Sequence, residues 1–173
     1  LPMGQEISVT LPQLARAFAV IANGGYLVEP YLVSHVTNPD GTLLRQRVHA
    51  PRTRIISVRT AEIMKELCHE VVTHGTGTRA SIADYRVGGK TGTAQVARTD
   101  GRGYAPGKYN TVFAGFAPVA NPRVVAVIVV REPDIREHWG GYVCGPVFRE
   151  VVKDALVAMH CPKDPVKDGV EVV

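Results

Sequence analysis

The sequence predicts an α+β fold in which helices flank an antiparallel sheet. Apolar residues recur at helical spacing in three stretches, over residues 11–21, 63–72 and 147–159. Between the second and third stretch, three β-rich segments at residues 85–96, 110–119 and 123–131 follow closely on one another.

The first helix is signalled by Thr10 and Gln13 as a capping box. Leu11, Leu14, Ala15, Phe18 and Ile21 form its buried face, and Asn23, Gly24 and Gly25 stop it. Residues 31–37 and 42–47 flank Asn38, Pro39, Asp40 and Gly41 and read as a β-hairpin, peripheral because its second arm is polar. Ser57 is the expected N-cap of a second helix. Ile63, Met64, Leu67, Cys68, Val71 and Val72 make its apolar stripe, leaving Glu62, Lys65, Glu66, His69 and Glu70 to solvent. The last two β segments are joined by a turn at Asn121 and Pro122, so the three read as consecutive antiparallel strands. A final helix is expected to begin near Pro146, whose missing N–H costs nothing in a first turn. Its apolar side, Val147, Phe148, Val151, Val152, Ala155, Leu156 and Met159, is suited to lie on the sheet. Residues 1–162 are expected to form one structural unit, with 163–173 as a frayed tail carrying Pro165, Gly169 and no apolar period.

Composition narrows the function classes. With 173 residues, 45% of them hydrophobic and 21% charged, the chain can bury a core. The longest apolar run, residues 124–130, is far short of the about 20 needed to span a bilayer. A net charge of +4 spread over residues 45–59 and 98–108, without interleaved aromatics, argues against nucleic acid as a partner. Cys68, Cys144 and Cys161 form no CxxC pair. His69 and His74 stand five apart and so do not share a helix face. His138 and Asp134 lack a second pair at ligand spacing, and no metal or organic cofactor is expected.

The chemistry concentrates in Gly88-Gly89-Lys90-Thr91-Gly92-Thr93-Ala94-Gln95. Glycine weakens a strand, so three of them here imply close approach to the backbone. Strand alternation sends Thr91 and Thr93 to one face and Lys90 to the other. Gly92 leaves room for an extended ligand to add as a further strand, and hydroxyls beside a cation suit a carboxylate.

Around this stretch, further motifs run in order from Gly4 to Met159. They are Val9-Thr10-Leu11-Pro12-Gln13-Leu14-Ala15, Gly75-Thr76-Gly77-Thr78-Arg79-Ala80, Phe113-Ala114-Gly115-Phe116-Ala117-Pro118, Asn121-Pro122-Arg123, and Gly140-Gly141 with Gly145-Pro146-Val147-Phe148. In these the chain resembles the C-terminal part of the transpeptidase domain of class B penicillin-binding proteins, which share a sheet and Lys-Thr-Gly wall with β-lactamases. It departs at Leu11-Pro12, where the family more often has Pro-Leu, and at Cys144, where a smaller residue is commoner.

The resemblance implies roles. Lys90 would join the proton network of the family's Ser-x-Asn serine, and the Thr91 and Thr93 hydroxyls would hold a substrate carboxylate beside Gly92. The Thr93 N–H would be one of two oxyanion donors, and Trp139 would stand in the aromatic and glycine loop beside the site, the other aromatics being left to packing. The substrate would be a peptidoglycan stem peptide, with β-lactams as acylating inhibitors. Proteins of the division or elongation complex would be partners, on the periplasmic or extracytoplasmic side of the inner membrane.

Ser8, Ser34, Ser57 and Ser81 are the four serines, and none opens a Ser-x-x-Lys or Ser-x-Asn motif. The chain is therefore expected to be a partial domain that needs an upstream part with the nucleophile, and to be inactive without it. A β-lactamase-like or β-lactam-sensing domain, and a non-catalytic cell-wall or division scaffold, are the alternatives that these residues leave open.

Overall fold

The structure, a computed structural model, describes residues 7–48, 51–134 and 137–164. Helix α1, Leu11–Ala22, starts at the expected capping box. Thr10 Oγ1 accepts the Gln13 N–H at 3.4 Å while Gln13 Oε1 accepts the Thr10 N–H at 2.8 Å. Strands β1 (His35–Thr37) and β2 (Leu43–Gln46) form the expected hairpin, shorter than the expected 31–37 and 42–47 and exposed throughout.

Helix α2, Val58–Thr73, is capped as expected, with Ser57 Oγ accepting the Thr60 N–H at 3.0 Å. Its orientation corrects the sequence reading. The buried residues are Ala61, Lys65, Cys68 and Val72, while Ile63 and Leu67, expected inside, are 50% and 56% exposed. Spacings of four, three and four put those buried residues on the face that meets the sheet. Lys65, at 6% exposure, lies on that face along its stem and keeps its ammonium 2.9 Å from Glu62. His69, also expected in solvent, is half-buried. Its Nδ1 lies 2.8 Å from the Val87 carbonyl, which can only accept, so Nδ1 carries the proton and Nε2 accepts the Arg86 Nε–H at 3.1 Å.

Strands β3 (Gly88–Ala97), β4 (Tyr104–Ala117) and β5 (Val124–Arg131) form an antiparallel sheet in the order β3-β4-β5. β3 begins three residues later than its composition suggested, because Tyr85 closes a tight bridge with Ile82 and sends its hydroxyl to the Cys161 carbonyl at 3.0 Å. β4 begins six residues earlier, since Tyr104 pairs with Ala97 across the β3–β4 turn. The register sets Lys90 against Ala114 and Thr93 against Thr111.

Helix α3, Gly140–Ala158, starts six residues before Pro146, which therefore lies inside the helix and not in its first turn. Tertiary contact outweighs the proline. Gly140 and Gly141 let the first turn lie directly on the sheet backbone, where a Cβ at Gly140 would run into the carbonyl oxygens of Gly92 and Val112. Phe148, Val152 and Leu156 are fully buried under the sheet, as expected, and the Phe148 ring meets Phe113 edge-on at 4.7 Å. Val147, Val151 and Met159, expected on the same side, are exposed. One face of the sheet thus carries α3 and the main core. The other carries α1 and α2 around Phe116, Cys68, Ala22 and Val119.

Within the expected frayed tail, Lys163 and Asp164 are held. Lys163 pairs with Asp84 at 3.0 Å, and the Asp164 carboxylate accepts the Arg86 N–H at 2.6 Å. Residues from Pro165 onward lie outside the described ones.

Candidate active site

β3 is the terminal strand of the sheet among the described residues, so its outer edge is unpaired. Residues of one strand alternate between faces. A Cβ built at Gly88 would meet Phe116 and Cys68, which marks the α2 face, and Lys90, two residues on, shares it. Burial pushes the Cys68 thiol above its ordinary range, and the Lys90 ammonium pulls the other way, which sets the cation within electrostatic reach of α2. Lys90 is exposed, and its Nζ donates to the Thr91 carbonyl at 2.9 Å.

Thr91 and Thr93 face α3. The Thr93 hydroxyl oxygen accepts the Gly140 N–H, the first of α3, at 3.1 Å. The Thr91 hydroxyl lies 2.7 Å from the hydroxyl of Thr76, in the segment between α2 and β3. A Cβ at Gly141 would run into the Thr76 carbonyl, so the start of α3 rests on that segment as well as on the strand. Both threonines of β3 are half-buried.

Trp139 is the N-cap residue of α3 and is 60% exposed, one position from the amide that holds Thr93. His138 stacks on Tyr109 at 3.9 Å and on Trp139 at 5.0 Å. Three rings therefore line the downstream end of the site, two more than the sequence reading placed there.

The arrangement is chemically one-sided. The Thr93 oxygen has taken an N–H, so its own proton is free to donate. Of the Thr76 and Thr91 hydroxyls, only one proton can lie between the two oxygens. The N-terminus of α3 adds positive potential, and Lys90 adds a full charge on the other face of the strand. Such a set is suited to an anion, with an open strand edge beside it that an extended peptide could join.

Among the described residues, no serine hydrogen-bonds to Lys90 or Thr93. Ser57 caps α2, and Ser34 pairs with His35 on the hairpin. Among the described residues, no group of three His, Cys, Asp or Glu side chains could hold a metal ion. Sequence reasoning gave Thr76 no role of its own and missed the Gly140 amide. Thr76 lies 15 residues from Thr91 and outside its strand, and a backbone N–H leaves no mark in a sequence.

The family described as penicillin binding protein transpeptidase domain matches residues 1–153. Among curated proteins, the chain is 35% identical over 154 residues to a probable peptidoglycan D,D-transpeptidase PenA of Neisseria flavescens, covering 88% of this chain and 35% of that protein. It is 34% identical over 154 residues to stage V sporulation protein D of Bacillus subtilis, covering 88% of this chain and 24% of that one. Among solved structures, penicillin-binding protein 3 of Mycobacterium tuberculosis, complexed with ampicillin, superposes with a TM-score of 0.86 at 30% identity, over 98% of this chain and 39% of that one. The transpeptidase domain of penicillin-binding protein 3 from Burkholderia pseudomallei gives 0.71 at 39% identity, over 90% of this chain and 44% of that one. The chain thus spans about a quarter to a third of the length of these curated relatives.

Proposed function

The chain belongs to the transpeptidase family of class B penicillin-binding proteins, and on that premise we propose that it forms one wall of a serine D,D-transpeptidase active site. The substrate is a peptidoglycan stem peptide, and β-lactams acylate the same serine. The nucleophile comes from an upstream part of the protein. The observation that carries this reading is the crossing of β3 with α3, where the Thr91 and Thr93 hydroxyls face α3 while Lys90, on the opposite face, reaches the Thr91 carbonyl beside an unpaired strand edge.

In this reading the stem peptide lies along β3 with its terminal carboxylate on the Thr91 and Thr93 hydroxyls. The serine oxygen attacks the scissile carbonyl, whose oxygen becomes an oxyanion. Thr91 and Thr93 are two apart, so their backbone groups face the same edge, and the Thr91 carbonyl that takes the Lys90 ammonium supports that edge as the open one. The Thr93 N–H then serves as an oxyanion donor, a contribution of about 3–4 kcal/mol to the transition state. Lys90 helps pass the serine proton to the leaving amine, and the acyl group then moves to the amine of a second stem.

The tuberculosis protein in complex with ampicillin and with aztreonam supports β-lactams as ligands of such a site. Protein partners in the division or elongation complex, a membrane anchor in a segment outside these 173 residues, and a place on the periplasmic or extracytoplasmic face of the inner membrane belong to the same reading. Fluorescent penicillin tests it. The chain joined to its upstream part should be labelled covalently and the 173-residue chain alone should not. Stable labelling of the chain alone would mean that the nucleophile lies within it, and no labelling of the joined protein would end the reading.

A further inference from the structure

We propose that Thr76 is a positioning residue for the Thr91 hydroxyl: it donates its proton to Thr91 Oγ1 and so turns the Thr91 proton toward the substrate carboxylate. The inference deepens the transpeptidase reading and rests on it.

Three observations carry it. The two hydroxyl oxygens are 2.7 Å apart, and Thr91 is the hydrogen-bond partner of the Thr76 side chain among the described residues. Thr76 is held from both sides. The Gly77 N–H donates to the Val71 carbonyl at 2.9 Å at the end of α2, and Gly141 of α3 backs onto the Thr76 carbonyl with no room for a Cβ. Thr76 is also exposed, so the pair is not sealed in the core.

Donor counting fixes the direction. If Thr91 donated to Thr76, the Thr91 oxygen would present lone pairs to an incoming carboxylate, which repel it. If Thr76 donates, the Thr91 proton is released. The Thr93 proton is already free because its oxygen accepts the Gly140 N–H at 3.1 Å. Two O–H donors then stand two residues apart on one face, about 6.8 Å along the strand, a span that a carboxylate with a hydrogen bond of about 2.7 Å at each oxygen bridges. A carboxylate in the cleft therefore selects the arrangement in which Thr76 donates.

The test uses the transpeptidase joined to its upstream part, with a fluorescent penicillin and with the methyl ester of the same penicillin, which lacks the charge. Thr76→Val should slow acylation by the penicillin about tenfold, the size of one lost hydrogen bond to a charged group. The loss should fall on the half-saturating concentration and not on the limiting rate, and the slow reaction of the ester should be unchanged. Thr76→Ser should restore acylation to within about twofold, since the hydroxyl is what matters. Placed on a Thr91→Val background, Thr76→Val should have no further effect, because the two act as one unit. Should the valine variant fail to fold, Thr76→Ala supplies the same comparison. Unchanged acylation in Thr76→Val, an equal loss on penicillin and ester, or failure of serine to rescue would each overturn the proposal. An unlabelled wild type would instead overturn the transpeptidase reading beneath it.

Discussion

The Gly140 amide donates to the Thr93 hydroxyl over 3.1 Å, so the first residue of α3 and the last threonine of the Lys-Thr-Gly-Thr run fix one another. The helix that covers the sheet is also the clamp on the strand that carries the Lys-Thr-Gly-Thr run.

Gly140→Ala should damage both stability and site. The added methyl meets backbone oxygens of Gly92 and Val112, which cannot move aside as a side chain would. A loss of about 1–3 kcal/mol is expected from such overpacking, read from the denaturant midpoint, together with slower penicillin acylation in the joined protein. Wild-type values for both would show that α3 does not bear on β3.

Lys90→Ala and Thr93→Ala should separate in the joined protein. On the role proposed for Lys90, its removal takes away a proton-transfer partner and a charge, with an expected loss of about a hundredfold or more in acylation rate. Thr93→Ala leaves its backbone N–H in place and should cost distinctly less. Stopped-flow acylation of the two variants decides it, and the reverse order would reassign the two residues.

Phe148→Ala should lower stability by about 3–5 kcal/mol, because its fully buried ring and the edge contact with Phe113 leave a cavity on the α3 face. Chemical denaturation of the joined protein reads this directly. Val147→Ala, on the exposed side of the same helix, should stay within about 0.5 kcal/mol.

Cys68 should resist alkylation in the native protein at pH 8, because burial holds its thiol protonated above its ordinary value of 9.0. Lys90 acts in the opposite sense, so Lys90→Ala should slow alkylation of Cys68 further, measured by peptide mapping. The stability held in the neutral thiol is complete below the ordinary thiol pKa and is lost as the pH rises through it toward the raised folded value. Faster alkylation in Lys90→Ala would place the ammonium away from α2.

Local chemistry was legible in the sequence. Thr10 with Gln13 and Ser57 set helix starts that need only neighbours within three residues, and the alternation of Lys90 against Thr91 and Thr93 needs only a strand. The consecutive antiparallel order was read from three closely spaced β-rich segments, the last two joined by a short turn at Asn121 and Pro122. What escaped was decided by contacts across the fold. The rotation of α2 that buries Lys65 and exposes Leu67 depends on which face meets the sheet. The early start of α3 depends on the Gly140 and Gly141 seats on other elements, which outweigh the propensity of Pro146. The pairing of Thr76 with Thr91 exists only once the end of α2 has been brought beside β3.

The unpaired edge of β3 has a consequence for how copies of the molecule meet. An exposed strand edge pairs with any extended chain, another copy's included, and grows into sheets between molecules unless something interrupts it. Lys90 is exposed on β3, and in an edge-to-edge pairing of two copies it would bring its own charge toward an equal one. A lysine on an exposed edge strand opposes such pairing, so the Lys90 charge counts against the strand serving as a template for aggregation.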